Sequence, residues 1–167
     1  MKLRIAGLTK ESVVDGPGIR FVVFVQGCPH HCPGCHNPET WDFTAGKELT
    51  VDELFAQIKD TRLLQGVTFS GGEPFAQAAA LACLGKKVKE LGLDIVTYTG
   101  YTFEELLDMA KKNQDVRELL EISDLLVDGP YLAEERDLNL AFRGSRNQRI
   151  ISVAASLKAK RAVEAVL

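Results

Sequence analysis

Three of the four cysteines in this 167-residue chain, Cys28, Cys32 and Cys35, fall within eight residues, close behind the apolar run Phe21-Val22-Val23-Phe24-Val25. The spacing C-x3-C-x2-C puts three thiols on one tight loop, so the fold must deliver that loop from the end of a strand with its sulfurs facing a common space. Cys83 stands far from the others, which is not the even distribution of a disulfide framework. In a reducing compartment such crowding reads as metal or cluster ligation. Two chemistries stay open on the loop alone. Three thiolates can hold three corners of a four-iron cluster and leave one iron free for an outside ligand, or they can close a Cys3His zinc site with His30, His31 or His36.

The run 21–25 is β-branched and aromatic throughout, the pattern of a strand buried on both faces in a parallel sheet. Short apolar runs recur at 67–69, 95–98, 125–127 and 150–153. Helical patterns lie between them. Thr50 with Glu53 and Thr102 with Glu105 each form an S/T-x-x-E capping box. Leu81, Leu84, Val88 and Leu91 repeat at helical spacing, and residues 154–167 read as a fourth helix. The polar stretch 111–115 reads as a loop or helix break. Strands alternating with helices predict an α/β domain spanning residues 1–167, with right-handed crossovers and a mainly parallel sheet. Ligands of such sheets bind beyond the carboxyl ends of the strands. The cysteine loop, Ser70-Gly71-Gly72-Glu73-Pro74, Thr99-Gly100-Tyr101 and Asp128-Gly129-Pro130-Tyr131 all follow strands, so they are expected along one edge.

A formal net charge of −3 and a pI near 5.7 speak against nucleic-acid binding, which needs clustered Lys and Arg. No run approaches the length of a membrane helix and residues 1–10 lack the apolar core of a signal peptide, so a cytoplasmic protein is expected. The paired glycines after the run 67–69 let backbone groups approach a ligand closely. A structural zinc knuckle has no need of that second loop.

C-x3-C-x2-C followed by Gly-Gly-Glu-Pro resembles the radical S-adenosylmethionine (SAM) superfamily. The resemblance implies a truncated partial (β/α) barrel with a mainly parallel, curved sheet. It implies a 4Fe-4S cluster on Cys28, Cys32 and Cys35, with the amino and carboxylate groups of SAM on the fourth iron. Gly71, Gly72 and Glu73 would hold the methionine end of SAM. Many members carry an aromatic residue just before the third cysteine. This chain has Gly34 there, so an adenine contact at that point would come from backbone atoms of Gly34, Cys35 and His36.

Asp15-Gly16-Pro17-Gly18-Ile19-Arg20, Gln26-Gly27-Cys28 and Cys35-His36-Asn37-Pro38-Glu39-Thr40-Trp41 resemble the glycyl-radical activases in particular. Read bare, Asp-Gly-Pro-Gly is only a turn. The chain length and the segments Tyr98-Thr99-Gly100-Tyr101, Leu126-Val127-Asp128-Gly129-Pro130 and Arg143-Gly144-Ser145-Arg146-Asn147-Gln148 resemble those activases that act on anaerobic ribonucleotide reductase. The alternatives are an activase of the pyruvate formate-lyase type and a zinc-stabilised binding module. The resemblance implies a reduced flavodoxin or similar carrier as electron donor, and Asp15 as a contact to the partner's glycine loop. Asp128 is a second candidate for partner contact, with acceptance of backbone N–H groups in its own turn as the plainer role. His36 is a candidate to orient cluster or SAM, or read bare a plain loop histidine; Arg143, Arg146 and Arg149 are candidates for a carboxylate or the partner, or equally a solvated charged strand end; Trp41 and Cys83 read as packing residues.

Overall fold

A computed structural model describes residues 1–167. Seven strands, β1 (Lys2–Ser12), β2 (Arg20–Val25), β3 (Lys47–Thr50), β4 (Gly66–Gly71), β5 (Asp94–Tyr98), β6 (Leu125–Asp128) and β7 (Arg149–Ser152), form one sheet in the order β3-β1-β2-β4-β5-β6-β7. The four central strands β2, β4, β5 and β6 run parallel. Antiparallel strands flank them on both sides, and β3 and β7 end the order, so the sheet stays open.

Five helices connect or follow the strands: α1 (Val51–Asp60), α2 (Ala78–Glu90), α3 (Phe103–Ala110), α4 (Gln114–Ile122) and α5 (Val153–Ala159). Thr50 caps α1 by accepting the Glu53 N–H, and Thr102 forms a reciprocal box with Glu105 at the head of α3. Asn113 interrupts the helical stretch and caps α4 by accepting the Asp115 and Val116 N–H groups. Leu81, Leu84 and Val88 of α2 are buried, whereas Leu91 lies past its end and is 40% exposed.

The expected helix over 154–167 is shorter. It stops at Ala159, Lys160 takes a left-handed conformation (φ 59°), and the tail returns along β7. Ser152 donates to the Val163 carbonyl and Ala165 to the Ile150 carbonyl. Helix propensity there is overridden by pairing against an otherwise open edge.

One face of the sheet packs on the helices through Phe21, Val23, Val25, Val67, Phe69 and Ile95, all buried in the main core. On the other face the register aligns Val22, Thr68 and Val96. The turn between β1 and β2 folds over that face. Thr68 Oγ1 donates to the Asp15 carbonyl (2.8 Å) and accepts from Arg20 Nε (2.7 Å), while Arg20 Nη1 donates to the Pro17 carbonyl (2.9 Å). Arg20 is fully buried and ion-paired with Asp94. Gly16 holds φ +133°, and a Cβ there would lie 2.8 Å from Arg20 Cδ. The Asp-Gly-Pro-Gly turn is thus fixed from beneath by an internal guanidinium, and it carries Asp15 toward the strand ends. No helix is long and apolar enough to cross a membrane.

Candidate active site

Cys28, Cys32 and Cys35 line one cavity of about 420 Å³ beyond the carboxyl ends of β2, β4, β5 and β6. Asp15, His36, Gly71, Gly72, Thr99, Tyr131 and Arg143 line it too. A larger surface groove, about 810 Å³, runs between α3, α4 and α5 among Glu104, Leu107, Arg117 and Leu157, and it holds none of these groups.

The cysteine loop is anchored at both ends. Gly27 N–H donates to the Thr40 carbonyl (2.6 Å) and Cys28 N–H to the Trp41 carbonyl (3.2 Å). The buried Gln26 amide donates to the carbonyls of Glu39 and Asp42. Within the loop, His31 (φ 47°) and Gly34 (φ 77°) turn the chain through the left-handed region. Cys35 N–H closes a turn on the Cys32 carbonyl (3.0 Å), and Asn37 N–H points at Cys35 Sγ (3.4 Å). Burial is the main influence pushing the Cys28 thiol up, against the N–H groups of His30 and His31 and together with the nearby Glu73 charge. A bound cation would reverse that balance and favour the thiolate.

Glu73 is fully buried. Its carboxylate accepts from Thr99 Oγ1 (2.9 and 3.0 Å), Gly100 N–H (2.8 Å) and Phe75 N–H (3.0 Å), and lies 2.6 Å from His30 Nε2. Glu73 N–H donates to the Gly27 carbonyl, and Gly72 N–H to that of Val25. Every carboxylate contact is thus to the chain itself. The paired glycines also have an internal reason. A Cβ on Gly71 (φ +93°) would lie 2.6 Å from Val25 N, and one on Gly72 2.3 Å from the Gly27 carbonyl oxygen. They let β4 and the start of the cysteine loop meet by a close approach of backbone to backbone, at the wall of the same cavity.

Aromatic groups surround the loop. His30 meets Tyr101 edge-on (4.5 Å), His31 stacks on Trp41 (4.5 Å, 9° between planes), and His36 tilts against Tyr131 (4.9 Å, 52°). Trp41 Nε1 is buried without a hydrogen-bond partner. Tyr98 lines the cavity with its phenol pushed up by burial first and by Asp15 second, so it stays protonated.

Asp128 is placed differently from the expectation of a partner contact. It is 1% exposed, accepts the Phe103 N–H (2.8 Å) and holds the Arg149 guanidinium, which also binds Glu104. The pair joins β6, β7 and the head of α3, so both charges have partners within the chain. Asp15 is half-buried at the cavity wall and accepts a hydrogen bond from Ser12 Oγ. Cys83 packs on the main core from α2. Thr99 and Tyr131 line the cavity on the edge where the sequence places the site, and Tyr98 lies at the strand end before it; the sequence assigns none of the three side chains a role.

No three His, Cys, Asp or Glu side chains converge on the position of a single ion, yet three thiols face one cavity. Three thiolates around a common space can hold three corners of a four-iron cluster. With the Asn37 N–H already directed at Cys35 Sγ, the residues present fit a cluster.

The family model described as a 4Fe-4S single cluster domain matches residues 14–151. An anaerobic ribonucleoside-triphosphate reductase-activating protein of Vibrio cholerae is 41% identical over 146 residues, covering 83% of this chain and 90% of that protein. Its Escherichia coli K12 counterpart is 36% identical over 145 residues, covering 81% and 90%. A pyruvate formate-lyase-activating enzyme of Clostridium pasteurianum is 43% identical over 113 residues, covering 62% of this chain but 48% of that enzyme. Among solved structures, QueE from Escherichia coli matches with a TM-score of 0.48 and 21% identity over 61% of this chain and 54% of that one.

Proposed function

Because the chain belongs to the family of anaerobic ribonucleoside-triphosphate reductase-activating proteins within the 4Fe-4S single cluster domain group, we propose that it is the activase of an anaerobic ribonucleotide reductase. It is a radical SAM enzyme whose cofactors are a 4Fe-4S cluster and SAM. The single observation that carries the reading is the enclosure of Cys28, Cys32 and Cys35 in one cavity with the Gly71-Gly72 edge and Asp15, in a chain that matches such activases over nine-tenths of their length.

When bound, the cluster and SAM supply the reductive cleavage that yields a 5′-deoxyadenosyl radical able to take a hydrogen atom from a glycine Cα. The chain's own contribution is placement. Cys28, Cys32 and Cys35 are the ligands we assign to the cluster. Gly71, Gly72 and the backbone of residues 34–36 are the edges we assign to SAM. Glu73 acts on that edge by tying the His30 turn of the cysteine loop to Thr99 and Gly100. Asp15, held by the Thr68 and Arg20 relay, is the group we assign to the incoming glycine segment. The half-buried Trp41, Tyr101 and Tyr131 around the thiols limit water at the reacting centre.

The domain is read as a single truncated partial barrel, with its open sheet leaving room for a large protein to present a flexible loop. A reduced flavodoxin or similar carrier is the electron donor we assign, and the cytoplasm the compartment. The Clostridium pasteurianum match keeps an activase of the formate-lyase type as the second reading. The test is to mix the anaerobic, reconstituted protein with SAM, a reductant and either partner, and to record electron paramagnetic resonance. A glycyl doublet on the reductase that collapses when the glycine α-hydrogen is deuterated supports the first reading. A doublet only on the formate-lyase moves the assignment to the second.

A further inference from the structure

Tyr131 lies three residues past the end of β6 and in the wall of the cysteine cavity. Gly144, without a Cβ, makes room for its ring, and Gly34 borders it at ordinary contact distance. A Cβ on Gly144 would lie 3.1 Å from Cδ1 and 3.3 Å from Cε1, and a Cβ on Gly34 would lie 3.5 Å from Cε2 on the opposite edge. The His36 ring stands 4.9 Å away, tilted by 52°. The phenol is therefore slotted between the last turn of the cysteine loop and the approach to β7.

Neither the apolar core nor hydrogen bonding accounts for it. Tyr131 is half-buried and belongs to neither apolar cluster, and its hydroxyl makes no hydrogen bond within the chain. What it offers the cavity is an aromatic surface. Aromatic rings in that setting recognise planar heteroaromatic groups by stacking. Of the two ends of SAM, only the nucleoside carries such a group. The methionine end is flexible and charged and belongs with the cluster. Gly34 directly precedes Cys35, so the ring borders the segment that carries the third thiol.

We propose that Tyr131, with His36 beside it, is the stacking wall for the adenine of SAM. The proposal rests on the cofactor reading above. It replaces the expectation that this contact comes from backbone atoms of residues 34–36 alone. Gly34 then has a specific part: a bulky side chain there would take the space that Tyr131 fills from another loop.

The test is anaerobic calorimetry of SAM and of methionine with the reconstituted wild type, Tyr131→Phe and Tyr131→Leu, with iron counted in each. Tyr131→Leu should lose about ten- to a hundredfold in SAM affinity, the range of one stacked base, while its methionine affinity and iron content hold. Tyr131→Phe should bind SAM like the wild type. Unchanged SAM affinity in Tyr131→Leu overturns the proposal, as does an equal loss for methionine, which would place the effect on the loop and not the base. Should Tyr131→Leu fail to take up iron, Tyr131→Met gives the same comparison. A wild type that holds four irons but binds no SAM overturns the functional reading itself and is separate from either outcome.

Discussion

His30 Nε2 lies 2.6 Å from Glu73 Oε1, and that contact locks the cysteine loop to the strand-end loop after β4. The carboxylate at its centre is fully buried and also serves Thr99, Gly100 and Phe75. Glu73→Gln keeps the shape but presents an amide donor where donors already point. It should lower stability by about 2–3 kcal/mol and reduce iron uptake. Urea unfolding and iron content measure the two effects, and wild-type values for both would show that the contact is incidental.

Cys28→Ala, Cys32→Ala and Cys35→Ala should each lose stable cluster binding, because two thiolates do not secure the cube. Cys83→Ala, on the core side of α2, should keep it. Visible absorbance with iron and sulfide counts after reconstitution decides the matter. A full cluster in Cys32→Ala would remove that ligand from the set.

Gly72→Val should do more than weaken SAM. Its Cβ would lie 2.3 Å from the Gly27 carbonyl, one residue before Cys28, so the cysteine loop must shift. The expected result is loss of iron together with loss of SAM cleavage. Full iron content in this variant would show that the loop gives way without cost.

Thr68→Val removes the hydroxyl that receives Arg20 and supports Asp15. A buried guanidinium N–H left without an acceptor costs about 1–3 kcal/mol. Stability should fall by that much, while SAM cleavage persists and radical transfer to the partner drops. Denaturation and 5′-deoxyadenosine yield, set against the glycyl signal, separate these effects. Equal losses in cleavage and transfer would argue that the turn acts on SAM and not on the partner.

Arg149→Met should destabilise the joint between β6, β7 and α3, since it leaves the buried Asp128 carboxylate without its cation. The change also has a pH signature. The hydrogen bond from Arg149 holds Glu104 below the usual carboxylate range. Its stabilisation is therefore complete above the unfolded pKa and is lost as pH falls through the folded one. Wild-type stability should decline on acidification through that range, and the variant should lack this part of the decline. Glu104 is exposed, so the contribution is small.

The central strands and two helix starts were readable because burial on both faces leaves continuous apolar runs and capping boxes are local. β1 was not read. Lys2–Ser12 mixes Leu3 and Ile5 with charged and small residues, and its pairing with β2 shifts register twice, so no alternation survives. β3 is a short charged edge strand. The helix α4 had a signal in Val116, Leu119 and Leu120 at helical spacing, which the polar break before it obscured. At the site, the thiols were evident from spacing alone. The Glu73 clamp, the Arg20 and Thr68 relay and the placing of Tyr131 join residues 13 to 97 positions apart, and local sequence carries no trace of such contacts.

The stack of His31 on Trp41 makes the protein its own optical probe. Trp41 is the only tryptophan, its ring lies 4.5 Å from that of a histidine inside the cysteine loop, and its carbonyl receives the Cys28 N–H. Intrinsic indole emission from this chain is therefore a report from one place, free of background from any other tryptophan. An iron-sulfur chromophore assembled beside it would quench that emission, so filling of the loop can be followed by light in the unlabelled protein.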